Sequence, residues 1–455
     1  MIVMKFGGTS VAEADRIRGI AEIVRARLDR RPVVVVSALG GVTDLLERAI
    51  QAACGDDLEG LEPVLADLER RHRWALAGCV DEARGHHHLS LDVGGLFEDL
   101  RQKLRSIRIL REGTPRAVDA ILAIGETLSA KIVEAAFRGL GLPAVAVDPR
   151  DVMATDDRFG DAEPDLERTA ELALSRIGTV LDAGGLPVLG GFVGATIDGT
   201  TTTLGRGGSD TSAAVLGSVL GAEEIQIWTD VDGLMTADPR LVPGARTIAR
   251  VSFAEAAELA FYGAEVLHPD SLAPAVHRGI PVRVANSMRP DRPGTVIVDG
   301  AERAGETAVV SVASRAGVTS LRVVNRRMRA DPEFVSGVLA TLRSRQLAPD
   351  LLVASEIGVH LAIDDSVASV ALQDELARCG VVEVQQDRAI VCMVGSRLAD
   401  GRSRREALEA ISACEPELLA LGSSGASLTA LVSADRLTET VRGLHHRFFE
   451  ESEAK

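Results

Sequence analysis

The segment PVVVVS at 32–37 sets four valines in succession, with no polar residue alternating between them. A strand of that kind is buried on both faces, which happens almost only in a parallel sheet covered by helices on each side. Residues 2–6 form another short apolar strand, and the stretch 12–28 between the two carries helical periodicity. The chain thus opens as β-α-β. Further strand-like runs at 143–147, 187–192, 224–228 and 280–284 alternate with helical stretches. The predicted class is α/β, a doubly wound and mostly parallel sheet.

Ligands of such sheets collect where strands end and helices begin. The ten residues 201–210, TTTLGRGGSD, place Gly205, Gly207 and Gly208 around Arg206 and lead into the apolar run 213–220. Those glycines allow positive φ and leave no Cβ between backbone and ligand. Ser209 or Asp210 is the predicted N-cap of the following helix, and Gly221 its end. Free N–H groups, the positive end of the helix dipole and the planar fork of Arg206 together favour a phosphate or a carboxylate. A second loop, KFGGTSV at 5–11, follows the first strand and offers Gly7 and Gly8 for close backbone approach beside Lys5. It matches neither the dinucleotide nor the Walker pattern. A lysine at a strand end beside two glycines suits a transferring phosphoryl group. WTDVDGLMTADPR at 228–240 leaves a strand into a turn-rich loop with polar groups available to a nucleotide.

At 455 residues the chain exceeds a single core, so two or three domains are expected. The segment 288–305 is rich in Pro, Gly and charge, which places a boundary near 300 and gives domains 1–300 and 301–455. Beyond it the order is strands 308–312 and 319–324, helix 333–345, strands 351–355 and 358–363, helix 367–379 and strand 382–385. A second series follows, with strand 389–394, helix 403–413, strands 418–422 and 427–432, and helix 434–449. Two ferredoxin-like units in tandem are implied, without a catalytic constellation, so their role is binding or regulation.

Net charge is −16, which disfavours nucleic acid and anionic membrane as partners. The five cysteines are scattered and form no CxxC, so neither a disulfide framework nor a zinc site is expected. His86, His87 and His88 are consecutive and lack a partner cluster, and no resident metal is predicted. No uninterrupted apolar run reaches 18 residues, and a cytoplasmic protein is the expectation. The basic run around Arg101, Lys103, Arg105 and Arg108 reads as one solvated helix face.

Taken in order, KFGGTSV at 5–11, VVSALGGVTDLL at 35–46, GE at 125–126, DDRFG at 156–160, TTTLGRGGSD at 201–210, WTDVDGLMTADPR at 228–240 and GAEVLHP at 263–269 closely resemble the aspartate kinases. The resemblance covers the whole chain. It implies an amino-acid-kinase fold over roughly 1–300, followed by two ACT regulatory units, with 321–387 as the first and 306–317 plus 388–455 as the second. It implies transfer of the γ-phosphate of MgATP to the β-carboxylate of L-aspartate, the entry to lysine, threonine and methionine synthesis.

By that resemblance Lys5 and Asp210 are catalytic, while Ser37, Thr43, Glu126, Arg206 and Ser209 bind aspartate. Lys5, Gly7, Gly8, Thr229, Asp230, Met235, Arg240 and Glu265 are the ATP-side positions. Asp350, Ser355 and Glu356 match an effector pocket for an amino acid such as lysine or threonine, and a homodimer through the ACT sheets is expected. Glu265 stands where the family commonly has lysine, and a carboxylate facing the ATP phosphates would repel them unless turned away or bridged by magnesium; Met235 replaces a frequent tyrosine. The loop 325–334 carries Glu333 where a glycine usually precedes Phe334, which predicts weak lysine feedback or another effector. Two other readings stay open: a kinase of this fold acting on another acid or phosphate, and a catalytically weak amino-acid sensor.

Overall fold

The computed structural model describes residues 1–455 except 56–57, 80–85, 263–268, 301–307, 327–331, 356 and 451–455. Its strands in chain order begin with β1 (Ile2–Phe6), β2 (Pro32–Val36), β3 (Ala144–Ala146), β4 (Leu186–Gly190), β5 (Val193–Ala195), β6 (Thr201–Thr203) and β7 (Glu224–Thr229). They continue with β8 (Arg250–Ser252), β9 (Val282–Asn286) and β10 (Thr295–Val298). The chain forms two units, Met1–Leu234 with Val266–Ala301, and Met235–Glu265 with Glu302–Lys455. The division is not a single cut of the chain, because Met235–Glu265 groups with the C-terminal unit.

In the first unit the strands run β3-β4-β2-β1-β7-β9-β10. Every pairing from β3 to β9 is parallel, and only β10 is antiparallel to its neighbour. All five residues of β1 and of β2 are buried, as the uninterrupted valine run requires of a strand covered on both faces. Helices α1 (Ala14–Arg25), α2 (Val42–Cys54), α3 (Leu58–Cys79), α4 (His86–Leu110) and α5 (Pro115–Gly139) build the larger core, around Ile17, Leu46, Leu68, Phe97, Leu104 and Phe137. Thr114 caps α5, accepting a hydrogen bond from the Ala117 N–H, with Pro115 at the first turn. Two members of the basic run on α4 are ion-paired on the surface: Arg101 reaches Glu69 at 2.6 Å and Lys103 pairs with Asp99. Among the described residues no helix is long and apolar enough to cross a membrane.

The second unit holds a six-stranded sheet built from β11 (Ser311–Val324), β12 (Leu351–Ala354), β13 (Gly358–Asp364), β14 (Val381–Val394), β15 (Leu418–Leu421) and β16 (Ser427–Ser433). Their order is β12-β13-β11-β14-β16-β15. The separate strands predicted at 308–312 and 319–324 are one strand of 14 residues, and those at 382–385 and 389–394 are another. Two ladder irregularities near Arg315, Val318 and Ser320, with Gly317 at φ 72° and Asp387 at φ 55°, absorb what looks from the sequence like a break. Ser311–Arg315 pairs with Ile390–Val394, and Val318–Val324 runs between β13 and the first half of β14. The two ferredoxin-like units thus share one continuous sheet through two long central strands.

Candidate functional site

Four parallel strands end in register. Phe6 lies opposite Val36 and Trp228, and Val36 lies opposite Gly190. One residue further, Gly7, Ser37 and Gly191 leave the sheet along its C-terminal edge, beside Thr229 as the last residue of β7, where open parallel sheets bind ligands. Backbone bonds tie these exits together: Gly7 N–H donates to Trp228 O at 3.0 Å, Ser37 N–H to Phe6 O at 3.1 Å and Gly191 N–H to Val36 O at 2.8 Å.

Lys5, on the central strand, sets its Nζ 2.6 Å from Oδ1 of Asp210, with both side chains about nine-tenths buried. Asp210 Oδ1 has no aligned hydrogen-bond donor. The contact is therefore held by charge, and removing either partner strands the other in a low-dielectric site. Asp210 lies in the first turn of a helix, Gly208–Leu220, where a carboxylate is also favoured by the helix dipole. The predicted cap is corrected here: Gly207, at φ 70°, is the N-cap, with no side-chain cap bond, and Ser209 and Asp210 are inside the first turn. Gly221, at φ 66°, ends the helix as expected.

Glu126 is 4% exposed on α5 and accepts a hydrogen bond from the Ala38 N–H at 3.3 Å. Burial pushes its carboxyl up to about 7, and the Ala38 bond opposes that only partly. The turn after β4 lies against both groups. A Cβ on Gly190 would come 3.0 Å from Glu126 Cβ, and one on Gly191 would come 2.7 Å from Ser209 Cβ. Phe192 then takes φ 66°, unusual for a bulky residue, while its N–H donates to Ser212 Oγ at 2.9 Å. Gly8 is equally tight, since a Cβ there would meet Ala38 O at 3.0 Å. Ser37 is half-buried, and Thr43 is half-buried on the first turn of α2. Arg206 is exposed, and no hydrogen bond or ion pair holds it among the described residues.

On the β7 side, Thr229 Oγ1 donates to Asp230 Oδ1 at 3.2 Å, and Asn286 Nδ2 bonds Asp230 O at 3.1 Å and Asp232 Oδ1 at 2.7 Å. Met235 and Arg240 belong to the second unit, where Arg240 forks onto Asp238 through Nε and Nη2 at 2.7–3.1 Å. Glu265 and Glu356 lie outside the described residues. Asp350 and Ser355 are both in the second unit. Asp350 pairs with Arg315 at 2.7 Å, its Oδ2 is buried without a hydrogen-bond partner, and burial raises its carboxyl despite Arg315. Ser355 Oγ donates to Gly358 O at 3.1 Å.

Sequence reasoning missed Asp119. It is fully buried on α5, seven residues before Glu126, and accepts from Thr203 N–H at 2.9 Å, Thr203 Oγ1 at 2.8 Å and Gly160 N–H at 3.0 Å. One carboxylate thus anchors the loops at 156–160 and 201–210 to the helix that carries Glu126. An acidic residue one heptad before GE was the only signal available, and without structure it reads as a surface carboxylate.

Residues 1–286 match the model of the Amino acid kinase family. The lysine-sensitive aspartokinase 3 of Escherichia coli is 34% identical, over 99% of this chain and 99% of that protein. The chloroplastic aspartokinase 2 of Arabidopsis thaliana is 32% identical, over 98% of this chain and 84% of that protein. The crystal structure of E. coli aspartokinase III with lysine and aspartate, a T-state, is 33% identical and covers 99% of this chain and 100% of its own, with a TM-score of 0.87. The same enzyme with aspartate and ADP, an R-state, gives 0.83 over the same shares. With its sheet edge, its buried lysine and aspartate and its tandem regulatory sheet, this chain belongs to the amino acid kinase family, and within it to the aspartokinases.

Proposed function

We propose that the protein transfers the γ-phosphate of MgATP to the β-carboxylate of L-aspartate, giving 4-phospho-L-aspartate. The observation that carries this reading is the Lys5–Asp210 pair, set at the common end of four parallel strands and flanked by the turn that touches both Glu126 and Ser209. A substrate carboxylate is already ionised near neutral pH, so the nucleophile needs no general base. What the site supplies is positioning and neutralisation of charge on the phosphoryl group.

Lys5 takes that charge and Asp210 fixes where its ammonium stands. Glu126 receives the substrate ammonium, and the unpaired guanidinium of Arg206 receives the α-carboxylate, with Ser37, Thr43 and Ser209 completing the pocket. Gly7 and Gly8 admit the phosphates against bare backbone, Thr229 and Asp230 take the nucleotide, and Met235, Arg240 and Glu265 are further ATP-side positions. Magnesium enters as part of the co-substrate. Asp350, with one buried oxygen unpartnered, and Ser355 are held to bind an amino-acid effector, Glu356 being the third matching position; lysine acts weakly or is replaced. The chain is taken to work in the cytoplasm as a homodimer joined through its ACT sheets, which light scattering of the full chain would check.

The test is a coupled assay with MgATP and a panel of acids, titrated with lysine, threonine and methionine. Aspartate should be the preferred acid, and Lys5→Ala should lower kcat by about a hundredfold or more. Equal turnover of another carboxylate, or full activity of the alanine variant, overturns the reading.

A further inference from the structure

The segment that leaves the nucleotide motif, 235–250, is built into the C-terminal half of the second unit. Ser311 Oγ donates to Met235 O at 2.8 Å, and Val312 N–H donates to Thr236 O at 2.8 Å. Ala237 and Val242 are buried in one cluster with Val391, Val441, Leu444, Phe448 and Phe449. The α-helix Leu437–His445 and the π-helical turn that continues it, His446–Glu450, grip the segment through polar groups. Arg442 Nε donates to Leu241 O at 2.8 Å, and Arg246 Nη2 donates to Phe449 O at 2.8 Å.

His445 is central to this grip. Its side chain is fully buried, stacked on Phe449 at 4.7 Å, with Nε2 3.0 Å from Thr236 Oγ1 and Nδ1 3.2 Å from Glu450 Oε1. Thr236 Oγ1 already accepts from the Arg246 N–H at 2.9 Å. The Glu450 carboxylate can only accept, so the ring carries its proton on Nδ1 toward it, and in the neutral ring Nε2 accepts from the Thr236 hydroxyl. Burial lowers the imidazole pKa, which favours this neutral form. Thr236 lies within WTDVDGLMTADPR, four residues before Arg240. A buried histidine near the end of the chain thus fixes the backbone between the two halves of a nucleotide-binding motif.

We infer that His445 is a positioning residue for ATP: through Thr236 it holds the 235–240 segment in its nucleotide-binding form, so that the C-terminal ferredoxin-like unit sets ATP affinity through its last helix. This rests on the reading that 228–240 binds the nucleotide.

The experiment is a double-mutant cycle on the full chain, with KM for ATP, KM for aspartate and kcat measured for Thr236→Val, His445→Ala and the pair, alongside His445→Gln and Arg240→Ala. Thr236→Val is isosteric, and thermal melts of each variant report folding. Each single variant should raise KM for ATP roughly fivefold, the scale of one buried hydrogen bond, with KM for aspartate moving less than about twofold. The pair should lose clearly less than the sum of the two single variants, because both remove the Thr236–His445 bond, while Thr236→Val also takes the acceptor from the Arg246 N–H. His445→Gln, which keeps a polar atom within reach of Thr236, should recover most of the loss. Additive effects, an unchanged KM for ATP, or equal shifts for both substrates overturn the inference. If Arg240→Ala leaves KM for ATP unchanged, the nucleotide reading of the loop itself fails, and the inference with it.

Discussion

In the role proposed for Glu126, burial and recognition of an ammonium group oppose each other. Its carboxyl is raised from 4.5 to about 7 by burial. Below about 4.5 the folded and unfolded forms are both protonated. As pH rises toward 7 the unfolded carboxyl ionises first, so this residue costs stability over that window. An ammonium ligand selects the ionised form, which is scarce at pH 6 and abundant at pH 8. KM for aspartate should therefore fall by up to about tenfold between those values. Glu126→Gln should raise KM for aspartate and flatten its pH dependence; a steep profile surviving in that variant would assign the titration elsewhere.

The helix Gly208–Leu220 separates two uses of a left-handed glycine. Gly207 and Gly221, at its two ends, have φ of 70° and 66°, and a Cβ on Gly221 meets nothing within 4 Å. Alanine in the left-handed region costs about 1–2 kcal/mol, so Gly207→Ala and Gly221→Ala should lower stability by similar amounts in chemical denaturation. Only Gly207→Ala should also raise KM for aspartate, because it alone adjoins Arg206 and the turn bearing Ser209 and Asp210. Equal KM values in the two variants would show that the loop tolerates movement at its cap. The glycines of this loop were legible in the sequence because positive φ has a residue signature. The close approach of Gly190 and Gly191 to Glu126 and Ser209 was not, since it depends on which element packs across the strand end.

For the whole molecule, 235–265 is the decisive segment. A chain cut before 302 keeps the residues that match the kinase family, yet it uncovers Ala237 and Val242 and deprives Thr236 of His445. Such a chain, 1–301, is expected to be largely insoluble or inactive when expressed alone. Full soluble activity would mean that the segment refolds without its partner unit. The amino-acid sequence by itself determined the parallel sheet, because consecutive valines admit few other environments. It also determined the two glycine-rich loops at the strand ends and the tandem ferredoxin-like units, since glycine, lysine and strand periodicity are local signals. Only the tertiary structure decided that Asp119 staples two loops to one helix, that four predicted strands join into two, and that the segment 235–250 is held by the last stretch of the described chain. Each of those depends on residues many positions apart meeting in a packed interior, where a contact leaves no mark on the local pattern of either partner.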